Sequence, residues 1–172
     1  MISRDHSILI SDSGLVSIVG GKWTTYRKMS EDVVNAAAVQ GGLPYKECIT
    51  VSLPIHGAKE VTSYDRDGYY YGTDKAGIDA LSANDKQIGA PLHERLPYTA
   101  AEIIWAVRNE FCQTVEDALS RRTRALLLDA TAAKEMASAT ARIMAQELGK
   151  GEDWIQKQIV HFHTVADKYL PS

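Results

Sequence analysis

The sequence predicts a mainly α protein, in which a carboxy-terminal helical bundle follows a β-hairpin and one helix. Three observations carry this reading. Two short β-branched runs, Ser7-Ile8-Leu9-Ile10 and Leu15-Val16-Ser17-Ile18-Val19, flank the turn residues Ser11-Asp12-Ser13-Gly14. After Pro97, apolar residues recur at three- and four-residue spacing behind capping-box-like starts. Glycines stand where helical stretches stop, at Gly41-Gly42 and at Gly149.

Taken in order, both hairpin strands are expected to be buried on at least one face. Gly20-Gly21 ends the second strand, and Thr24-Thr25 opens a helix whose apolar residues Tyr26, Met29, Val33 and Ala37 share helical spacing. Two strands and one helix cannot close a core of their own, so this unit is expected to complete something larger. From Gly42 to about Pro97 the signals are mixed. Cys48-Ile49-Thr50-Val51 reads as a short strand, Tyr64 to Gly72 is polar and aromatic, and Thr73 to Asn84 reads as a short helix capped by Thr73. Beyond Pro97, Thr99-Ala100-Ala101-Glu102 and Thr114-Val115-Glu116-Asp117 are helix starts. Further helices are expected from about Thr131 to Leu148 and from about Glu152 to Tyr169. The last carries Trp154, Ile155, Ile159, Phe162, Ala166 and Tyr169 as one stripe. The expected division is therefore 1–41, a connecting segment 42–97, and a helical domain 98–172.

Composition narrows the function classes. The chain has 172 residues, with 19 Lys plus Arg against 22 Asp plus Glu, a net charge of −3 and 45% hydrophobic residues. Those values suit a soluble globular domain and exclude collagen-like, fibrous and disordered classes. A slightly acidic chain is a poor general ligand for nucleic acid, so any anion site must be local. Cys48 and Cys112 lack CxxC spacing, which removes disulfide-framework and zinc-ribbon readings and fits a reducing compartment. No apolar run approaches the roughly 18 residues of a membrane span, and Met1 to Leu15 lacks the layout of a signal peptide.

Among local constellations, Gly20-Gly21-Lys22 resembles the end of a phosphate-binding loop, but a Walker A sequence needs Gly at position 16 and Ser or Thr at 23, where Val16 and Trp23 stand. What remains is a strand, two glycines, a cation and a helix start with two hydroxyls, a cradle for an anion or a carbonyl. An ordinary strand-to-helix turn with a solvated Lys22 is the other reading. The basic run Arg121-Arg122-Thr123-Arg124 lies four residues beyond Asp117, at ion-pair spacing, and is read as a solvated or docking face. His161 and His163 point to different faces of a helix, unlike a helical zinc pair, and no metal site is expected. GxSxG, HExxH and GxGxxG are absent.

The run from Ser3-Arg4-Asp5-His6 through Gly20-Gly21-Lys22-Trp23-Thr24-Thr25-Tyr26-Arg27-Lys28-Met29-Ser30-Glu31-Asp32 resembles the end of the flavin domain of FAD-dependent glycerol-3-phosphate dehydrogenases. Val115-Glu116-Asp117-Ala118-Leu119-Ser120-Arg121-Arg122-Thr123-Arg124 resembles the signature of that family's helical carboxy-terminal domain. The two motifs stand in the right order, and the resemblance covers nearly the whole chain. The family's amino-terminal dinucleotide fold and the calcium-binding hands of some relatives are absent from this sequence.

The resemblance implies that 1–41 is the tail of a FAD-binding α/β fold. It also implies hydride transfer from C2 of sn-glycerol 3-phosphate to flavin N5, giving dihydroxyacetone phosphate, with electrons passing on to a membrane quinone. By the same analogy Arg4 and Lys22 hold the phosphorylated substrate, and Gly20, Gly21, Thr24 and Thr25 approach the flavin. The general base lies in the missing portion. The chain alone is then an inactive fragment whose first partner is the amino-terminal FAD domain, with a homodimer as a further partner. The parent would be cytoplasmic and peripheral on the cytoplasmic membrane. A stand-alone helical interaction domain using the Arg121 to Arg124 face is the second reading, and nucleic-acid binding is disfavoured by charge.

Overall fold

The computed structural model describes residues 5–59, 68–85 and 87–171. The chain divides into two compact units, Met1–His56 and Gly57–Ser172. In the first, strands β1 (His6–Ile10) and β2 (Val16–Gly20) pair antiparallel, with His6 opposite Gly20 and Ile10 opposite Val16. Ser11 closes the turn: its carbonyl accepts from the Gly14 N–H at 2.8 Å and its Oγ from the Leu15 N–H at 3.1 Å. A 3₁₀ turn, Trp23–Thr25, runs into helix α1 (Tyr26–Gln40), which stops at Gly41. The His6 Nε2 lies 3.1 Å from Asp32 Oδ2 and ties β1 to α1.

The expected burial of the hairpin is not met. No described residue of the first unit is buried, and Leu9, Val19 and Tyr26 are each more than half exposed. One two-stranded sheet and one helix offer each other a single contact face, so Met29 and Val33 are only half-covered while Tyr26 and Ala37 stay exposed. Cys48–Val51 does not form a strand either. The Ile49 carbonyl accepts from the Ser52 and Leu53 N–H groups at 3.3 and 3.1 Å, a turn, because no neighbouring strand supplies ladder bonds.

The second unit is helical. A 3₁₀ segment, Tyr69–Asp74, leads into α2 (Lys75–Asn84). Thr73 does not cap it: the helix begins at Lys75, after a kink at Gly72, and the Thr73 N–H is turned to the Gly57 carbonyl at 3.2 Å. The first residues of the Tyr64 to Gly72 stretch lie outside the described residues. A second hairpin, β3 (Pro91–His93) with β4 (Leu96–Thr99), precedes α3 (Ala100–Asn109). A π-helical turn, Asp117–Arg122, and the short α4 (Ala125–Leu128) lead to α5 (Ala130–Leu148) and α6 (Glu152–Ala166), with a last 3₁₀ turn at Asp167–Tyr169. The final helix thus ends three residues short of Tyr169, which is exposed.

Helix α5 is the hub and packs against α3, α4 and α6. Its buried Ala132, Ala133, Ala137 and Ala141 let the neighbouring backbones approach, while Met136, Met144, Leu119, Ile103 and Phe162 fill the remaining space. Both expected capping boxes form. Thr99 Oγ1 accepts from the Glu102 N–H at 3.4 Å and Glu102 Oε2 from the Thr99 N–H at 2.7 Å. Thr114 and Asp117 exchange the equivalent bonds at 3.0 Å each. The architecture is mainly α with two small antiparallel hairpins, and among the described residues no helix is long and apolar enough to cross a membrane.

Candidate functional site

The turn from Gly20 to Thr25 is set by backbone demands. Gly20 and Gly21 have φ of +87° and +78°, the left-handed region that glycine enters freely. A Cβ at Gly20 would lie 2.8 Å from the Asp5 carbonyl oxygen, and one at Gly21 would lie 2.3 Å from Met29 Sδ. The Gly21 N–H donates to that same Asp5 oxygen at 3.1 Å. Gly20 is therefore required by the packing of β1 on the turn, and Gly21 by its left-handed φ, with the Met29 side chain filling the space beside it.

Lys22 is extended at the N-cap. Its N–H donates to Thr25 Oγ1 at 3.0 Å, and that hydroxyl donates back to the Lys22 carbonyl at 3.0 Å. The Thr25 side chain is thus engaged in capping. Among the described residues the Trp23 and Thr24 N–H groups have no partner. The Lys22 and Thr24 side chains are exposed beside them, as is Trp23, stacked on Tyr26 at 5.8 Å between ring centroids. The acidic side chains of α1 are neutralised within the helix: Glu31 meets Arg27 at 2.7 Å and Lys28 at 3.2 Å, and Asp32 meets Lys28 at 2.9 Å. These partners, Arg27 first for Glu31 and Lys28 first for Asp32, hold both carboxyls below their usual range. The turn offers two free amides, a hydroxyl and an ammonium, a donor set suited to an electron-rich ligand edge. Gly20, Gly21, Lys22, Thr24 and Thr25 are brought together here, and Arg4 lies outside the described residues.

The basic run divides. Arg121 pairs with Glu116 at 2.7 Å and Asp117 at 3.0 Å, and Arg122 with Glu110 at 3.3 Å. His161 is exposed, 3.1 Å from Glu116 Oε2, whereas the half-buried His163 donates to the Lys134 carbonyl at 3.2 Å. Among the described residues no cluster of potential metal ligands forms.

A residue family model, the C-terminal domain of α-glycerophosphate oxidase, matches residues 48–155. The chain belongs to this family. The oxidase C-terminal domain therefore accounts for most of the second unit, including the π-helical turn and the basic run. The chain is 35% identical over 178 residues to the mitochondrial glycerol-3-phosphate dehydrogenase of Homo sapiens, covering 92% of this chain and 24% of that protein. It is also 35% identical over 189 residues to that of Macaca fascicularis, covering 98% and 25%, and 35% identical over 177 residues to one of Arabidopsis thaliana, covering 85% and 28%. The chain thus spans about a quarter of the length of these curated relatives. No solved structure matches it.

Sequence reasoning missed one feature of the oxidase C-terminal domain. A cavity of about 540 Å³ in the second unit is lined by Tyr70, Tyr71, Lys75, Tyr98 and Glu102, among others. The sequence pattern marks Glu102 only as part of a helix start. The alternation of Leu96, Pro97 and Tyr98, buried, exposed and buried, was the available signal for the β4 strand that carries Tyr98 into its wall.

Proposed function

We propose that this chain is the carboxy-terminal part of a flavoenzyme that oxidises sn-glycerol 3-phosphate to dihydroxyacetone phosphate, with electrons passing to quinone. The observation that supports this most is the 35% identity, across nearly the whole chain, to proteins named glycerol-3-phosphate dehydrogenase. In this reading 1–41 completes the flavin fold, 42–97 connects, and 98–172 is the helical domain. The absence of any buried residue among the described residues of the first unit fits a piece whose covering layer is an amino-terminal FAD domain.

The residues present fit FAD. The free Trp23 and Thr24 amides, with the Thr24 hydroxyl, would meet an electron-rich ring edge, and Gly20 and Gly21 keep the turn tight enough to present them. FAD, when bound, supplies the acceptor for the hydride leaving the secondary alcohol carbon. Lys22 places its ammonium on the exposed side of the turn, where with Arg4 it would hold the substrate phosphate and orient that carbon. Thr25 keeps Lys22 extended through its paired bonds. The parent sits peripherally on the cytoplasmic membrane in this proposal, and a homodimer is compatible with it.

The test is direct. The purified chain should be colourless and should not oxidise glycerol 3-phosphate, whereas the longer polypeptide carrying the flavin fold should show a flavin absorbance band and oxidise glycerol 3-phosphate. A stoichiometric flavin band on the chain alone, or a longer polypeptide without the activity, refutes the reading. The closed core of the second unit favours one alternative, a stand-alone helical interaction domain. A native start at Met1 with no upstream flavin fold would select it.

A further inference from the structure

The cavity in the second unit lies among α2, the second hairpin and the start of α3. Glu102, 8% exposed, is in its wall. Its Oε1 accepts from the Tyr71 hydroxyl at 3.1 Å and the Tyr70 hydroxyl at 3.4 Å, and its Oε2 from the Thr99 N–H at 2.7 Å and the Thr99 hydroxyl at 3.1 Å. All four donors are neutral, and among the described residues Glu102 has no cationic partner. Lys75, the cation in the wall, is already paired with Asp79. Among the described residues the Glu102 carboxylate is thus held by neutral donors alone, and a cation in the cavity would find in it an uncommitted counter-charge.

The rest of the wall suits one kind of cation. Tyr70 and Tyr71 lie 4.7 Å apart between ring centroids, tilted by 42°, and Tyr69 meets Tyr70 edge-on at 5.6 Å. Tyr98, 7% exposed, adds a fourth ring, and among the described residues its hydroxyl has no hydrogen-bond partner. Aromatic faces around a carboxylate recognise weakly hydrated organic ammonium groups, whereas metal ions need several converging oxygens, and here both carboxylate oxygens are already engaged.

We propose that this cavity binds a small organic ammonium ion, held by the Tyr69, Tyr70, Tyr71 and Tyr98 rings with Glu102 as counter-charge and the Tyr98 hydroxyl as a polar contact. The proposal does not depend on the flavin reading, because every residue belongs to the second unit. The test titrates the 172-residue chain with choline, with tetramethylammonium, and with the uncharged isostere of choline in which carbon replaces nitrogen, followed by calorimetry and amide NMR shifts. Saturable choline binding is expected, at least about tenfold tighter than the isostere. Glu102→Gln keeps a side chain that can complete the capping box and should weaken choline about tenfold at unchanged helicity. Tyr71→Leu, which removes an aromatic face and leaves the carboxylate, should weaken it too, and serves if Glu102→Gln does not fold. No binding, equal binding of the isostere, or binding unaffected by these substitutions overturns the proposal.

Discussion

Arg122 holds Glu110 twice: its Nη2 donates to the main-chain carbonyl at 2.6 Å and its Nε lies 3.3 Å from Oε2. The next residue, Phe111, has φ of +55° and is 82% exposed, a conformation non-glycine residues seldom keep without support. The π-helical turn places Arg122 for this grip, since the Thr123 N–H bonds to the Ala118 carbonyl at 3.0 Å, five residues back.

Arg121 and Arg122 should therefore behave differently. Arg121 is 52% exposed and its pairs are solvent-screened, so Arg121→Ala is expected to cost about 0–1 kcal/mol. Arg122 is 32% exposed and bonds a carbonyl, so Arg122→Ala should cost about 1.5–3 kcal/mol. Urea unfolding of the chain measures both, and equal values would mean the carbonyl bond contributes nothing beyond a surface pair.

Asp117 gives the helical unit an acid sensitivity. Burial pushes its carboxyl up, but the Thr114 hydroxyl and the Gln113 and Thr114 N–H groups outweigh that, and the net shift is downward. A depressed folded-state pKa contributes stability above the unfolded value of about 3.9, lost as pH falls through the lower folded value. Asp117→Asn should cost about 1–2 kcal/mol at neutral pH. The gap from the unsubstituted chain should close below about pH 4. A gap that stays constant with pH would locate the effect in packing.

Legibility followed locality. Thr99 with Glu102 before α3 and Gly149 after α5 are signals carried within four residues, and the structure uses each at the expected helix end. Cys48–Val51 failed because a strand needs a partner that no local pattern specifies. The second hairpin was hidden by Pro91 and Pro97, which ordinarily argue against strands, and here sit at exposed positions of short ones. At the turn, the sequence alone does not say what stands beside Gly20 and Gly21 within the chain. Their missing side chains make room for Asp5 and Met29, a long-range fact that dipeptide composition does not contain.

Gly21 and Met29 should accordingly be coupled. Gly21→Ala suffers a left-handed φ and a 2.3 Å approach to Met29 Sδ. It should raise hydrogen exchange of the β1 and β2 amides, equivalent to about 1–3 kcal/mol of local stability. Adding Met29→Ala removes the collision and leaves the φ strain, so it should restore part of the protection. Full restoration would mean the backbone tolerates alanine at +78°, and no restoration would mean that Met29 is not the obstacle.

Lys22 is the sharpest test of the donor-lined turn. If its ammonium grips the substrate phosphate, Lys22→Met in the longer flavin-carrying polypeptide removes the charge and keeps the stem. Loss of one charge-assisted bond is worth about 1.5–3 kcal/mol, or roughly ten- to a hundredfold in kcat/KM for glycerol 3-phosphate. Flavin content should hold, because Lys22 contributes no bond to the turn through its side chain head and the Thr25 bonds involve only its main chain. Arg4→Lys belongs beside it, since an ammonium cannot reproduce a bidentate guanidinium on phosphate. Unchanged kinetics in Lys22→Met would make Lys22 a solvated lysine on an ordinary strand-to-helix turn, leaving the family membership intact and the local reading wrong. Loss of flavin together with activity would instead assign Lys22 to holding the cofactor.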